Sequence, residues 1–141
     1  CDFTPQRYHR VNGFDLMPVL FPSLAEPVST IAQYLDFARL AEGQTVVDLG
    51  AYACLSSILF RERLGDSGRV VALEPDPLNY ACATRNLDLY SRLTGRDVEL
   101  VQAALWTDGQ GMAFSADGCM GSSAVNYVGK RGRQMRVLNV A

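Results

Sequence analysis

Apolar positions in the middle of the chain follow two different periods. From Leu24 to about Leu40 they recur every three or four residues, which predicts a helix that ends before the next glycine. The β-branched run from Thr45 to Leu49 is bounded by glycines and predicts a buried strand. A second helix is expected to begin near residue 56 and to end at Gly65, where a C-cap glycine belongs. A helix, a strand and a helix therefore follow one another with short connections.

The same alternation continues through the next segment. The run from Arg69 to Glu74 predicts a second strand, which Pro75 ends because proline has no N–H for a strand ladder. Asp76 is a good N-cap and Pro77 fits the first helical position, so a helix is expected from there. A third strand is predicted over residues 97 to 102. This order predicts a parallel sheet of right-handed βαβ units, half of a doubly wound α/β fold.

The two ends of the chain have a different character. Residues 1 to 23 mix aromatic side chains with prolines, which predicts an extended arm that packs on a neighbouring surface of a domain spanning residues 24 to 141. Beyond the third strand glycines are frequent. Two more strands are expected near residues 112 to 115 and 134 to 140, paired antiparallel at the sheet edge, with the turn over residues 129 to 133.

Composition narrows the class of protein. The chain has 141 residues, of which 48% are hydrophobic and 20% charged, as is ordinary for a globular domain. A formal net charge of -2 argues against a protein that coats nucleic acid or an anionic membrane, so the expected partner is a small molecule. No secretory or membrane-spanning pattern is visible, which favours a cytoplasmic location. Because the first residue is Cys1, we expect the encoded protein to begin upstream, and the sequence leaves the oligomeric state open.

The sequence offers little evidence for a metal site or for a catalytic nucleophile. The four cysteines are far apart and His9 is the single histidine, so neither a metal site nor a Ser/His or Cys/His catalytic pair is predicted. Cys54 lies near the start of the second predicted helix, where thiol pKa values fall. Cys54 is therefore either a reactive thiol or a small core residue, and we favour the core residue.

Acidic residues stand at the ends of the first two predicted strands. Asp48 precedes Gly50 at the end of the first, and Glu74 ends the second. Ligands of doubly wound sheets bind outside the carboxyl ends of the strands. Gly50 lets the backbone come close to a ligand, and Glu74 can accept hydrogen bonds from both hydroxyls of a ribose. A nucleoside site is favoured over the alternative that these acids only cap the helices that follow.

The glycine count at this turn distinguishes between nucleoside ligands. A dinucleotide fingerprint has three glycines that admit a pyrophosphate, whereas here only Gly50 is present. A carboxylate such as Asp48 before the glycine suits a ligand with an amino group and no phosphate, and S-adenosylmethionine is such a ligand. A nicotinamide-dependent oxidoreductase is the disfavoured alternative.

Over roughly residues 21 to 115 the sequence resembles the FkbM-type methyltransferases. The resemblance is carried by Glu26-Pro27-Val28, by the run from Gly43 to Ala51, by Glu74-Pro75-Asp76-Pro77 and by Val101 to Leu105. It implies a class I enzyme with a Rossmann-like, three-layer α/β/α sheet. The implied reaction is methyl transfer from S-adenosylmethionine to a small-molecule acceptor, mostly on oxygen.

The resemblance also implies a set of cofactor-binding residues at the strand ends. Those expected in the turn at the methionine part of the cofactor are Asp48, Gly50, Ala51 and Tyr52. Glu74 is expected to hold the ribose. Those expected to border the adenine are Pro75, Asp76, Ala103 and Ala104.

Two positions of the first turn depart from the family. Tyr52 stands where asparagine is usual, and Cys54 stands where a second glycine is usual. A side chain at Cys54 would crowd the approach of the cofactor carboxylate, and Tyr52 has to point away or reshape the site. A non-catalytic Rossmann-like module that has lost the cofactor is therefore the alternative to an enzyme.

The family's substrate side has no counterpart in this sequence. A fourth strand is expected beside the first, ending in an acidic, glycine-containing segment, and no candidate for it precedes Ala141. The first strand is thus expected to keep an unpaired edge. We expect the chain to be the cofactor-binding part of an incomplete domain that can be inactive alone, and no catalytic residue is predicted.

Overall fold

The computed structural model describes residues 8–11, 17–107, 112–118, 120–124, 133–135 and 137–139. In chain order the strands are β1 (Tyr8–His9), β2 (Val19–Leu20), β3 (Thr45–Leu49), β4 (Arg69–Leu73), β5 (Glu99–Val101), β6 (Ala104–Trp106), β7 (Met112–Phe114), β8 (Arg133–Met135) and β9 (Val137–Asn139). The helices are α1 (Val28–Ala38), α2 (Leu55–Arg63) and α3 (Pro77–Thr94). None of the helices described has both the length and the apolar character needed to cross a bilayer.

Strands β3, β4 and β5 form a parallel three-stranded sheet in this order, and the predicted ligand site lies at the carboxyl ends of its strands. Val47 of β3 lies opposite Val71 of β4, and Val71 lies opposite Glu99 of β5. Because α2 connects β3 to β4 and α3 connects β4 to β5, the sheet consists of two βαβ units, as the sequence predicts. The third strand is shorter than the predicted range of residues 97 to 102.

Helix α1 begins later than the expected Leu24. Its N-cap is Pro27, whose backbone is extended with φ −69° and ψ 127°. A residue that precedes proline is disfavoured in the helical region, so Glu26 resists joining the helix. The apolar residues upstream of Pro27 therefore lie outside the helix, and Phe21 among them packs in the core.

The core joins α2, α3 and the sheet to the segment of residues 17–23. Met17 and Phe21 from this segment pack in one cluster with Ile58 of α2 and Ala83 of α3. The buried Asn86 side chain accepts a hydrogen bond from the Leu20 N–H (2.7 Å) and donates to the Leu20 carbonyl (2.8 Å). Part of the predicted arm is thus built into the core, while the division of the chain at residue 24 stays a prediction.

The strands beyond β5 pair in a way that the sequence predicts only in part. β7 and β8 are antiparallel, with Met112 opposite Met135, as expected. β9, however, pairs in parallel with β6, a strand that was not predicted, with Ala104 opposite Val137. Within the described ranges both pairs are separate two-stranded ladders, so the expected addition to the sheet edge is corrected. Short strands find such partners through long-range contacts, which local pattern does not contain. Most of the predicted turn, residues 129 to 132, lies outside the described residues.

Strand β3 forms one edge of the parallel sheet, as expected. Among the described strands it pairs with β4 alone. Val47 and Leu49 on this strand are 56% and 53% exposed, and Phe37 on the neighbouring α1 is 89% exposed. The prediction that this strand is buried is therefore wrong: in the part of the chain that the structure describes, β3 presents an open, apolar edge, because no described strand covers it.

Candidate functional site

The carboxyl ends of the three parallel strands meet at one edge of the sheet. The N–H groups of Gly50 and Ala51 both donate to the carbonyl of Leu73, at 2.9 and 3.0 Å. The N–H of Glu74 donates to the carbonyl of Val101 at 3.1 Å. These hydrogen bonds bring the turn after β3 beside the residues that follow β4 and β5, which is the predicted place for a ligand.

The turn after β3 has an unusual backbone. Gly50, Tyr52 and Cys54 have φ values of 83°, 51° and 62°, a region that side chains disfavour by about 1–3 kcal/mol each. Hydrogen bonds hold it, since the Tyr52 N–H donates to Glu74 Oε2 at 2.8 Å. A Cβ added at Gly50 would meet no atom within 4 Å, so the space beside this glycine is open. The turn thus presents bare backbone to a ligand.

Tyr52 lines a cavity beside Gly50, and its hydroxyl is bound by the segment before α1. Its hydroxyl donates to the carbonyl of Leu24 at 2.8 Å and accepts from the N–H groups of Leu24 and Ser23 at 3.2 and 3.3 Å. Its ring packs on Phe21 with the ring centroids 6.5 Å apart. The departure from the family pattern at Tyr52 therefore does not fill the site, and it fixes the position of the neighbouring Glu26.

Cys54 is a core residue, as the sequence analysis favours. Its side chain is buried and lines none of the three cavities described below. Burial raises the pKa of the thiol well above its usual range, because a thiolate would lose its hydration there. Cys54 is therefore neither a nucleophile nor an obstacle on the ligand side of the turn.

Three cavities surround Gly50. The Glu74 cavity, of about 350 Å³, is lined by Glu26, Gly50, Tyr52, Glu74, Pro75, Asn79, Phe114, Met120 and Ser122. The Ala103 cavity, of about 300 Å³, is lined by Leu49, Gly50, Leu73, Pro75, Ala103, Ala104 and Leu105. The Asp48 cavity, of about 390 Å³, is lined by Glu26, Tyr34, Phe37, Ala38, Val46, Val47, Asp48, Leu49, Gly50, Ser56 and Phe60. Each is in the lower part of the size range of small-molecule sites, and an extended ligand over Gly50 can enter all three.

Most of the predicted residues line these cavities, and two do not. Those that do are Asp48, Gly50, Tyr52, Glu74, Pro75, Ala103 and Ala104. Ala51 and Asp76 are buried beneath the surface and line none of the three. Contact of either residue with the cofactor stays a prediction. The lining residues that sequence reasoning did not assign to the site include Glu26, Asn79, Phe114, Met120 and Ser122.

Asp76 instead attaches a loop to the site. Its Oδ1 accepts from the N–H groups of Leu78 and Asn79 at 2.8 and 3.3 Å, which caps α3 as predicted. Its Oδ2 accepts from the Gly118 N–H at 2.8 Å and from the Ser122 hydroxyl at 2.6 Å. We call residues 115–118 and 120–123 the cover loop, because its Ser122 and Met120 line the Glu74 cavity.

The walls of the site carry negative charge. The Asp48 carboxylate accepts hydrogen bonds through Oδ2 from the hydroxyls of Ser56 (2.7 Å) and Ser57 (2.6 Å). Burial, and then repulsion from Asp48, raises the pKa of Glu26 from 4.5 to about 7. Burial also raises the pKa of Glu74, although hydrogen bonds from its neighbours oppose the rise. None of the described residues that line the three cavities is basic.

The raised pKa of Glu26 predicts a pH-dependent stability. The folded protein binds this proton more tightly than the unfolded chain does, so the stabilisation is complete below pH 4.5 and is lost as the pH rises through about 7. After allowance for solvent screening we expect Glu26 to contribute about 1–2 kcal/mol to that loss. Urea unfolding between pH 5 and pH 8 measures it. Glu26→Gln should flatten the curve, whereas the exposed Glu42→Gln should not, and equal slopes for Glu26→Gln and wild type would contradict the shift.

The chain is similar to known proteins when its structure is compared with solved structures. No protein-family model and no curated protein matches the chain. A protein-L-isoaspartate O-methyltransferase superposes on 57% of this chain with a TM-score of 0.50 and 22% identity. A protein named as an rRNA methylase from Clostridium thermocellum covers 58% of the chain (TM-score 0.45, 22% identity). A SAM-dependent methyltransferase from Aquifex aeolicus covers 62% (TM-score 0.46, 21% identity).

The aligned part is a limited share of these proteins. It covers 24% of the isoaspartate methyltransferase, 42% of the rRNA methylase and 44% of the Aquifex aeolicus protein. At this level of identity the likeness to the first of them concerns the fold. The described α/β unit, with its parallel sheet β3-β4-β5, therefore shares a Rossmann-like fold with this isoaspartate O-methyltransferase.

Proposed function

We propose that this chain binds S-adenosylmethionine and is the cofactor-binding part of a methyltransferase. The observation that carries the proposal is the acidic lining of the site: the carboxyl groups of Glu26, Asp48 and Glu74 line the cavities around Gly50, and no described lining residue is basic. S-adenosylmethionine is cationic at its sulfonium and ammonium groups, so its charge complements these walls. The pyrophosphate of a dinucleotide would meet repulsion instead.

The arrangement of the cavities supports one orientation of the cofactor. Glu74 has a ribose-binding role in this proposal, because each carboxylate oxygen can accept more than one hydrogen bond. The apolar Ala103 cavity then takes the adenine, between Pro75 and Ala103. The methionine part lies over Gly50 towards Asp48.

The proposed reaction is transfer of the methyl group from sulfonium to an acceptor oxygen of a small molecule, as in the FkbM-type enzymes that the sequence resembles. When bound, the cofactor supplies the reactive methyl group. The residues of this chain contribute chiefly by holding its two ends, so that the acceptor meets the methyl group in line. The acceptor and the residues that orient it are proposed for the whole protein, to which this chain contributes the cofactor-binding part.

Calorimetric titration with S-adenosylhomocysteine and NADH tests the proposal. We expect S-adenosylhomocysteine to bind at submillimolar concentration and NADH not to bind. The matched pair adenosine and AMP isolates the charge argument, because AMP adds only a phosphate and should bind more weakly. No binding of S-adenosylhomocysteine at millimolar concentration would favour a non-catalytic module, and binding of NADH would favour an oxidoreductase.

A further inference from the structure

Glu26 occupies the junction of two of the cavities. It lines both the Glu74 cavity and the Asp48 cavity, and of the other described lining residues Gly50 alone does the same. The backbone two residues before it is fixed, because Tyr52 hydrogen-bonds to both the N–H and the carbonyl of Leu24. Glu26 is therefore held beside the path that an extended ligand takes over Gly50.

The carboxyl group of Glu26 lacks a partner in the described part of the chain. Its Oε2 is buried and has no hydrogen bond there. Isolated buried carboxylates are costly, and proteins compensate for them by a proton, a cation or hydrogen-bond donors. Among the described residues, the titratable groups that face Glu26 supply no cation. They are Asp48 on β3, Glu74 after β4 and the thiol of Cys54 before α2, together with the phenols of Tyr34 and Tyr52. No described residue supplies the compensating group, so we look for it in the solvent or in a ligand.

We propose that Glu26 is a ligand-binding residue which, together with Asp48, binds the α-ammonium group of the methionyl part of the cofactor and releases its own proton when the ligand binds. This inference rests on the proposed function. An ammonium group has three N–H donors, so it can satisfy Glu26 Oε2 and still reach Asp48, whose Oδ2 is already used by two serine hydroxyls. The sulfonium group has no donor and would leave Oε2 without a hydrogen bond.

The proton balance follows from the charges. Before binding, burial and the nearby Asp48 raise the pKa of Glu26 to about 7, so its carboxyl group is partly protonated at neutral pH and largely protonated at pH 6. The ammonium group arrives with its positive charge and favours the carboxylate form, so the carboxyl proton leaves to the solvent. Each binding event below pH 7 thus releases up to one proton, and affinity rises with pH until Glu26 is ionised in the free protein.

The test compares two ligands that differ only at the amino-acid end. S-adenosylhomocysteine carries the ammonium group, whereas 5′-methylthioadenosine has a methyl group in place of the aminobutyrate part and keeps the ribose. The ratio of their affinities cancels any titration of Glu74, since both ligands present the same ribose. Calorimetry at pH 6 and pH 8, in two buffers with different ionisation enthalpies, gives both the affinities and the number of protons released.

For the wild-type chain we expect that ratio to rise about tenfold between pH 6 and pH 8, with proton release at pH 6. Glu26→Gln should lower the affinity for S-adenosylhomocysteine at pH 8 by about 10- to 100-fold, abolish the rise of the ratio and leave 5′-methylthioadenosine unaffected. The matched control Glu42→Gln, on an exposed residue, should behave as wild type.

The possible failures are distinguishable. If the wild-type chain binds neither ligand, the proposed function and this inference both fall. If it binds both ligands but the ratio is independent of pH and no proton is released, the role of Glu26 is wrong while the proposed function stands. The wild-type measurement decides this without the variant, so a failure of Glu26→Gln to fold does not affect the conclusion.

Discussion

Replacing Asp76 by alanine should destabilise the folded protein by about 3–5 kcal/mol, because one buried carboxylate accepts hydrogen bonds from four donors. Two of these donors, on Leu78 and Asn79, cap α3, and the other two, on Gly118 and Ser122, attach the cover loop. Alanine removes the acceptor for all four and leaves donors buried without a partner. The loss therefore combines a capping defect with the release of the cover loop.

Urea unfolding measures the effect of Asp76→Ala, with Asp88→Ala on the exposed side of the same helix as the control. The control should change stability by less than about 0.5 kcal/mol. Asp76→Asn separates the two parts, because asparagine is as good an N-cap but its amide cannot replace both carboxylate oxygens as acceptors. We expect a loss of about 1–3 kcal/mol for Asp76→Asn. A loss below about 1 kcal/mol for Asp76→Ala would show that the cover loop is not attached as described.

Replacing Glu74 by alanine should weaken binding of S-adenosylhomocysteine by about 1–3 kcal/mol through lost hydrogen bonds to the ribose. Glu74 also accepts from the N–H groups of Tyr52 (2.8 Å) and Asp76 (2.9 Å), so the variant should be less stable as well. Binding is therefore compared by calorimetry under conditions in which circular dichroism shows both proteins folded. Glu42→Ala, on an exposed residue, is the matched control.

A second ligand separates the ribose contact from a general disturbance of the site. The wild-type chain should bind adenosine more tightly than 2′,3′-dideoxyadenosine, which lacks both hydroxyls. In Glu74→Ala this preference should disappear, because the acceptor of the two hydroxyls is gone. If the preference survives unchanged, the ribose is held by another group and the orientation proposed for the cofactor is wrong.

Local sequence signals predicted the elements that carry the site. A β-branched run between glycines predicts strand β3. Asp76 and Pro77 predict the start of α3, because the N-cap and the first helical position act on backbone groups within three residues. The parallel order follows from the alternation of such elements with short connections. The placement of Asp48 and Glu74 at strand ends needed nothing more than these signals.

Long-range contacts account for what the sequence did not predict. The pairing of β9 with β6 joins residues more than 30 positions apart, and the cover loop is attached through Asp76, more than 40 positions before it. The direction of the Tyr52 phenol depends on the backbone of Leu24, 28 residues away. Such contacts produce no periodic pattern in the sequence around the residues that make them.

The βαβ order, the capped start of α3 and the acidic residues at the strand ends are readable from the amino-acid sequence, because periodicity, turn chemistry and capping act over a few residues. Long-range packing turns Asp76 inward to hold the cover loop and places Glu26 between two cavities, where its Oε2 has no partner among the described residues. The cost of burying a charge depends on which groups from distant segments surround it. Among the described residues, the groups that face Glu26 are carboxyl groups, a thiol and phenols, and the resulting need for a proton or a cation exists only in the folded chain.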